Sequence, residues 1–293
     1  IHNTAKRNPK KLIFAEADHL DVLKAAQIVY DEGIAIPILL GHEPVIKDLM
    51  TTIDFEADVM IIDPKSKLQD ESRKKYAEIF WNDQKRNGKT LYDSQRTLRE
   101  RNYFGALMVK SGDADAMLSG YSRNYPAVIK PILESIGPAK GVSRVAATNL
   151  MLTKRGPIFL SDTSININPS AKELAKIAQM TARTVKIFGL HPVLAMLSYS
   201  NYGSSDFPEA TKITDAVKFL HRYYPDIEVD GPIQSDFALN KKMLKTSFPF
   251  SQLSKKNVNT LIFPNLDSAN ITYKLMKELD GTLSIGPILM GLN

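Results

Sequence analysis

Residues 193–205, VLAMLSYSNYGSS, place the tightest constraint on what this chain can fold into. Val193, Leu194, Ala195, Met196 and Leu197 are apolar without interruption, the pattern of a short strand buried on both faces of a parallel sheet. Ser198, Ser200, Asn201, Gly203, Ser204 and Ser205 follow directly. Open α/β sheets bind ligands where a buried strand gives way to such a polar turn. Small hydroxyls, an amide and a glycine let backbone N–H groups approach an anion, helped by the start of the next helix. The residues alone leave a second reading open, an ordinary solvated strand-to-helix loop.

The same switch recurs along the chain. Residues 12–15 and 36–40 read as strands around a helix with Leu20, Leu23, Ala26 and Val29 or Tyr30 on one face, stopped at Gly33. Residues 59–62 are a third candidate strand, and the charged stretch 65–101 is helical in character with Trp81 as its large anchor. A brief strand at 116–118 leads to a loop at 119–123 and a helix carrying Val128, Ile129, Ile132 and Leu133. The Pro/Gly content of residues 138–141 marks a hinge. Lys154-Arg155-Gly156 reads as the turn of a hairpin, and Ser170 with Glu173 fits a capping box on a helix burying Leu174, Ile177, Thr181, Val185 and Phe188. Residues 213–223 and 237–244 read as helices, and 228–231, 258–263 and 284–289 as strands. Asp267 is expected to cap a helix that buries Ile271, Leu275 and Leu279. Strands alternating with helices mean an α/β fold with largely parallel sheets, two of them over 293 residues.

Several chemistries drop out. The chain has no cysteine, hence no disulfide framework or thiolate nucleophile, which fits a cytoplasmic setting. Five scattered histidines (His2, His19, His42, His191, His221) show no metal-ligand spacing, so no metal is expected. The net charge of +6 is spread among interspersed acids and bases rather than gathered in a nucleic-acid stripe, and no apolar run reaches membrane-spanning length. The G-x-G-x-x-G, G-x-x-x-x-G-K-[ST] and G-x-S-x-G patterns are all missing. What remains is a set of Ser-, Asn- and Asp-rich strand ends: 119–123, 161–163, 198–205, 230–231, 234–236 and 264–270. Gathered around one cleft they would suit a phosphorylated, polyhydroxylated ligand; singly, each reads as a helix cap. Asp162 and Asp236 are candidate bases or turn residues. Arg123, with its fork, and Lys130, a point charge, are the candidate phosphate partners.

The segments LIFAEADHLDVLKAAQIVYDEGIAIPILLG, GDADAMLSG, FLSDTSININPSAKELAKIA, DGPIQSDFAL and FPNLDSANITYKLMKELDGTLSIGPILMGL, in this order, resemble the phosphotransacetylase family over nearly the whole chain. The SYSNYGSS loop, FLSDTSININP and the GPILMGL ending bring it nearer to the carboxyl-terminal phosphotransacetylase-like domain of multidomain NADP-dependent malic enzymes. The resemblance implies two α/β subdomains, residues 1–140 and 141–283, with a cleft between them, and a last strand at 284–293 leading back towards the first. It also implies a homodimer and a CoA thioester in the cleft. Phosphotransacetylases move an acetyl group between CoA and phosphate; in hybrid malic enzymes the related domain lacks that activity, assists oligomerisation and senses acetyl-CoA. True transferases carry arginine where this chain has Lys130 and where it has Asp21. Their Ser-Arg pair and a downstream Asp follow the GPILMGL-type strand, where this chain stops; both ends of the sequence read as cut.

The expectation is therefore a regulatory and assembly module that binds acetyl-CoA through Ser198, Asn201, Gly203, Ser204, Ser205, Asn265 and Asn270, with Arg123 and Lys130 near phosphate groups. It carries no catalytic residue, no metal and no cofactor of its own. NADP and a divalent metal belong to an amino-terminal domain that decarboxylates malate to pyruvate. An active phosphate acetyl- or butyryltransferase and a purely structural dimerisation module are the alternatives.

Overall fold

The computed structural model describes residues 2–293, His2 by its backbone alone; Ile1 and the side chain of His2, one of the five histidines counted above, lie outside the described part. The chain forms two compact units, one running to Pro138 and including Asn293, the other spanning Ala139–Leu292. The break falls inside the Pro/Gly segment 138–141.

In the first unit the order is α1 (His2–Arg7), β1 (Lys10–Phe14), α2 (Leu20–Asp31), β2 (Ala35–Leu40), α3 (Glu43–Thr52), β3 (Met60–Ile62), α4 (Asp70–Gln84), α5 (Leu91–Thr97), α6 (Arg101–Lys110), β4 (Ala116–Leu118) and α7 (Tyr125–Ser135). Its four strands are all parallel, in the order β3-β2-β1-β4. Successive strand residues point to opposite faces. Ile13, Ile38 and Leu40 accordingly pack with Phe80, Phe104 and Leu107 of α4 and α6, while Phe14 and Leu39 pack with Leu23, Ala26 and Ile46 of α2 and α3. Phe80, fully buried, is the anchor of α4; Trp81 is half-buried and lies beneath the Lys85 ammonium instead. One residue of helical rotation, about 100°, separates the core side from the solvent side.

The second unit runs β5 (Ala146–Thr153), β6 (Gly156–Ser161), α8 (Ala171–Ile187), β7 (Val193–Leu197), α9 (Pro208–Tyr223), β8 (Glu228–Ile233), α10 (Ser235–Leu239), α11 (Lys241–Ser247), β9 (Thr260–Ile262), α12 (Leu266–Asp280) and β10 (Leu283–Met290). The sheet order is β10-β5-β6-β9-β7-β8. The β5–β6 hairpin and β10 on β5 are antiparallel, and the β6, β9, β7 and β8 pairs are parallel. The last strand is thus an edge of the second unit's sheet, and only Asn293 groups with the first unit. All five residues of β7 are buried. Leu194 and Met196 meet α8 and α9 through Leu174, Ile177, Ile213 and Leu220, and Val193, Ala195 and Leu197 face Ala238, Leu244 and Ala269. Beside this strand Gly231 has no side chain for a steric reason: at its φ of +148° a Cβ would stand 2.5 Å from the Met196 carbonyl oxygen.

Three further expectations change. The predicted helix 237–244 is split at Asn240, whose extended backbone ends α10 and whose side chain accepts the Met243 N–H to cap α11. In α12 the cap is Asn265, accepting the Ser268 N–H at 3.0 Å, rather than Asp267. That helix turns Ala269, Tyr273 and Met276 towards the sheet. Ile271, Leu275 and Leu279, predicted to be buried, are 57%, 51% and 82% exposed. Small Ala269 permits close approach to the sheet, and the apolar stripe one third of a turn away is left bare.

Leu194, fully buried between two helices, tests this packing. Leu194→Ala is expected to lower the second unit's stability by about 2–5 kcal/mol. Denaturant unfolding measures it, and a loss below about 1 kcal/mol would mean that β7 is not a central strand.

Candidate functional site

The parallel strands β6, β9 and β7 lie side by side, so the loops leaving their carboxyl ends converge. Between them is a cavity of about 380 Å³. Ile167 and Asn168 enter its wall from the loop after β6, Ser198 and Tyr199 from that after β7, and Pro264, Asn265 and Asp267 from that after β9; Glu209 and Lys212 come from the first turns of α9. Helices α9 and α12 both begin here, adding partial positive charge at their amino ends. Lys212 is the cation of this wall: its Nζ donates to Asn168 Oδ1 at 2.8 Å and to the Pro264 carbonyl at 3.0 Å. Burial lowers its pKa from the ordinary lysine value, with the charge of Glu209 opposing the shift.

The 198–205 loop is held by the protein itself. The Ser198 N–H donates to the Ile233 carbonyl and the Tyr202 N–H to that of Pro232. Asn201 exchanges two hydrogen bonds with Gln234: its Oδ1 accepts the Gln234 N–H at 2.8 Å and its Nδ2 donates to Oε1 at 2.7 Å. Tyr202, at a φ of +43°, packs its ring 5.0 Å from both Phe248 and Phe250. Its hydroxyl donates to Ser251 Oγ at 2.6 Å, which donates to Asp230 Oδ2 at 2.8 Å. Burial pushes the Tyr202 hydroxyl up to about 12; the Ser251 contact pulls the other way and the charge of Asp230 adds to the rise.

Of the residues singled out from sequence, Ser198 and Asn265 therefore line the cavity. Asn201, Gly203, Ser204 and Ser205 shape the adjoining loop: Ser204 Oγ accepts the Asn201 N–H, and Ser205 Oγ pairs with the Tyr199 hydroxyl. Asn270 holds the loop after β6 by donating to the Thr163 carbonyl at 3.1 Å. Neither candidate base is free. Asp162 accepts N–H groups from Ala147, Ser164, Ile165 and Asn166 and the Asn166 side-chain amide, a turn-forming hub, and Asp236 accepts the Phe237 N–H. Lys212 escaped the sequence reading because α9 begins at Pro208, five residues before the apolar periodicity that announces it. Pro208 at the first helical position was the available signal.

Arg123 and Lys130 belong to the first unit. Arg123 pairs with Glu100 at 2.8 Å in the wall of a second cavity, of about 480 Å³. Lys130 is not in that wall; its ammonium is 70% exposed and 3.8 Å from Glu134. In the same cavity Arg101 grips Asp18 with two nitrogens, at 2.5 and 3.1 Å.

The sequence profile of the family described as "Phosphate acetyl/butaryl transferase" matches residues 1–293. The chain belongs to the phosphate acetyl/butyryl transferase family. A phosphate acetyltransferase of Thermoanaerobacterium thermosaccharolyticum is 35% identical over 100% of this chain and 90% of its own length. An NADP-dependent malic enzyme of Escherichia coli is 34% identical over 100% of this chain, which spans only 39% of that protein. A crystal structure of a phosphotransacetylase from Streptococcus pyogenes superposes with a TM-score of 0.88 and 35% identity, covering 99% of this chain and 89% of that one. The transferase family thus includes stand-alone enzymes and the carboxyl-terminal part of malic enzymes, and this chain is homologous to both.

The Asp18–Arg101 pair yields a pH test. Burial favours a raised Asp18 pKa, but the hydrogen bonds and charge of Arg101 outweigh it and hold the carboxyl below its usual value. Its stabilisation is therefore present above the unfolded pKa of about 3.9 and lost as the pH falls through the lower folded value. Asp18→Asn is expected to destabilise the first unit at pH 7 and to cost progressively less below about pH 4. Denaturant midpoints across that range measure it; a penalty constant with pH contradicts the assignment.

Proposed function

We propose that this member of the family is the phosphotransacetylase-like regulatory and assembly module of an NADP-dependent malic enzyme. It binds acetyl-CoA, or a related CoA thioester, without passing the acetyl group to phosphate. Malate decarboxylation, with its NADP and divalent metal, takes place elsewhere in the longer cytoplasmic protein. The observation that carries this reading is the state of two positions where the resemblance sets arginine. Lys130 offers a largely exposed point charge in place of a fork, and Asp21 offers a carboxylate, engaged by the Tyr121 hydroxyl. The 35% identity to a stand-alone transferase over 90% of its length favours a second reading, an active phosphate acetyltransferase.

The second unit's cavity suits the amide-rich, slender arm of a CoA thioester. Ile167, Tyr199 and Pro264 supply apolar contact, Lys212 and Ser198 supply donors, and Asn168 supplies an amide. The hydroxyls of Ser161, the last residue of β6, and Ser200, in the loop after β7, are buried without a partner among the described residues and leave hydrogen-bonding capacity near these strand ends. The stripe Ile271–Leu275–Leu279 on α12 is bare, and Leu152, Leu283 and Ile285, where β10 pairs with β5, are exposed as well. A second copy of the chain covering this face would account for an apolar periodicity that the single chain does not bury.

Calorimetric titration of the chain with acetyl-CoA is expected to show binding that Lys212→Met weakens about tenfold or more, one charge-assisted hydrogen bond. Equal affinity in the variant would remove the cavity from the account. Formation of acetyl phosphate from acetyl-CoA and phosphate would establish the transferase reading. Leu275→Asp with Leu279→Asp is expected to halve the mass measured by light scattering; an unchanged dimer, or a monomeric parent, contradicts the proposed interface.

A further inference from the structure

We propose that the first unit holds an oxyanion site of its own, which receives the phosphate groups of a small phosphorylated metabolite other than the CoA thioester. All four strands of its sheet send their carboxyl-terminal loops to one cavity: Asp18 follows β1, Gly41 and His42 follow β2, Lys65 follows β3 and Arg123 follows β4. The carboxyl edge of an open parallel sheet is where such folds take ligands. The end of α5 and the start of α6 add Arg96, Arg99, Glu100 and Arg101.

The charges are unequal in number and in engagement. Five cationic side chains (Lys65, Arg96, Arg99, Arg101, Arg123) face three carboxylates (Asp18, Asp63, Glu100), leaving a net charge of +2. Two of the carboxylates are already matched, Asp18 by Arg101 and Glu100 by Arg123. Asp63 turns one oxygen to the Lys65 N–H. Lys65, Arg96 and Arg99 make no ion pair within 4.0 Å among the described residues, although Asp93, on the turn before Arg96, feels its charge. Two unpaired forks and an ammonium around a cavity of about 480 Å³ match the several oxygens of a phosphate or diphosphate. Lys65, Arg96 and Arg99 are exposed to solvent and, among the described residues, hold no ion pair that an incoming anion would have to displace. Gly41 keeps the floor low, since a Cβ there would stand 3.2 Å from Asp18 Cγ.

Inorganic pyrophosphate is the probe. Calorimetric titration of the whole chain at fixed ionic strength is expected to show one site whose affinity falls about tenfold or more in Arg96→Ala/Arg99→Ala. Lys241→Ala/Lys242→Ala, the same loss of charge on α11, is expected to leave it unchanged. Saturating acetyl-CoA is likewise expected to leave pyrophosphate bound, a result that does not depend on the reading of the second unit. The proposal is overturned if the arginine pair binds pyrophosphate as the parent does. It is also overturned if the α11 pair weakens binding equally, which would mean a general charge effect, or if acetyl-CoA displaces the probe, which would assign the anion to the thioester's own site. Circular dichroism of each variant separates lost binding from lost folding.

Discussion

A parallel strand with no water on either face can present chemistry only at its ends, and β7 is such a strand. Its five residues are all buried, with β9 on one side and β8 on the other. Apolar burial on this scale, roughly 1.5–3 kcal/mol for each large side chain, fixes where the chain must emerge. It fixes the emergence of its neighbours too, because β6 and β9 share its direction and register. The cavity around Lys212 follows from that shared direction. Its wall is assembled from three loops distant in sequence but launched from adjacent strands.

What holds those loops is a second layer of constraint. A buried polar group without a partner costs about 1–3 kcal/mol, so the polar residues at these strand ends are largely consumed in pairing with one another. Asp162 gathers the backbone of residues 164–166, Asn201 and Gln234 close on each other, and the Tyr202–Ser251–Asp230 chain ties the loop after β7 to the segment after α11. A ligand meets preformed walls, which lowers the ordering cost of binding. The same pairing explains why residues that looked like bases are structural, and why Lys212, the partly desolvated cation of the cavity wall, is the informative group.

Much of this was legible in the residues. The apolar run at 193–197, the hairpin about residues 154–156 and the capping box of Ser170 and Glu173 all stand where their patterns place them. Ser198 and Asn265 could be placed at one cavity because both follow a buried strand. Lys212 could not, since it precedes the apolar periodicity of α9, and a lone lysine there reads as solvated until its neighbours in space, Asn168 and Pro264, are known. The α12 stripe was misassigned for a related reason. Periodicity marks an apolar face without naming what covers it, and small Ala269, not the larger leucines, sits against the sheet. Arg96, Arg99 and Arg101 were hidden in a charged helical stretch, while Arg123 stood out in a strand-end loop; only the fold separates the paired Arg101 and Arg123 from Arg96 and Arg99.

Hydrogen–deuterium exchange with and without acetyl-CoA reads the second unit's strand ends without a substitution. Ligand-dependent protection is expected in residues 164–168, 198–212 and 264–270, with the interior of β7 slow to exchange in both states. Saturating ligand that leaves those three segments unprotected, or protects only other parts of the chain, would contradict binding at these strand ends.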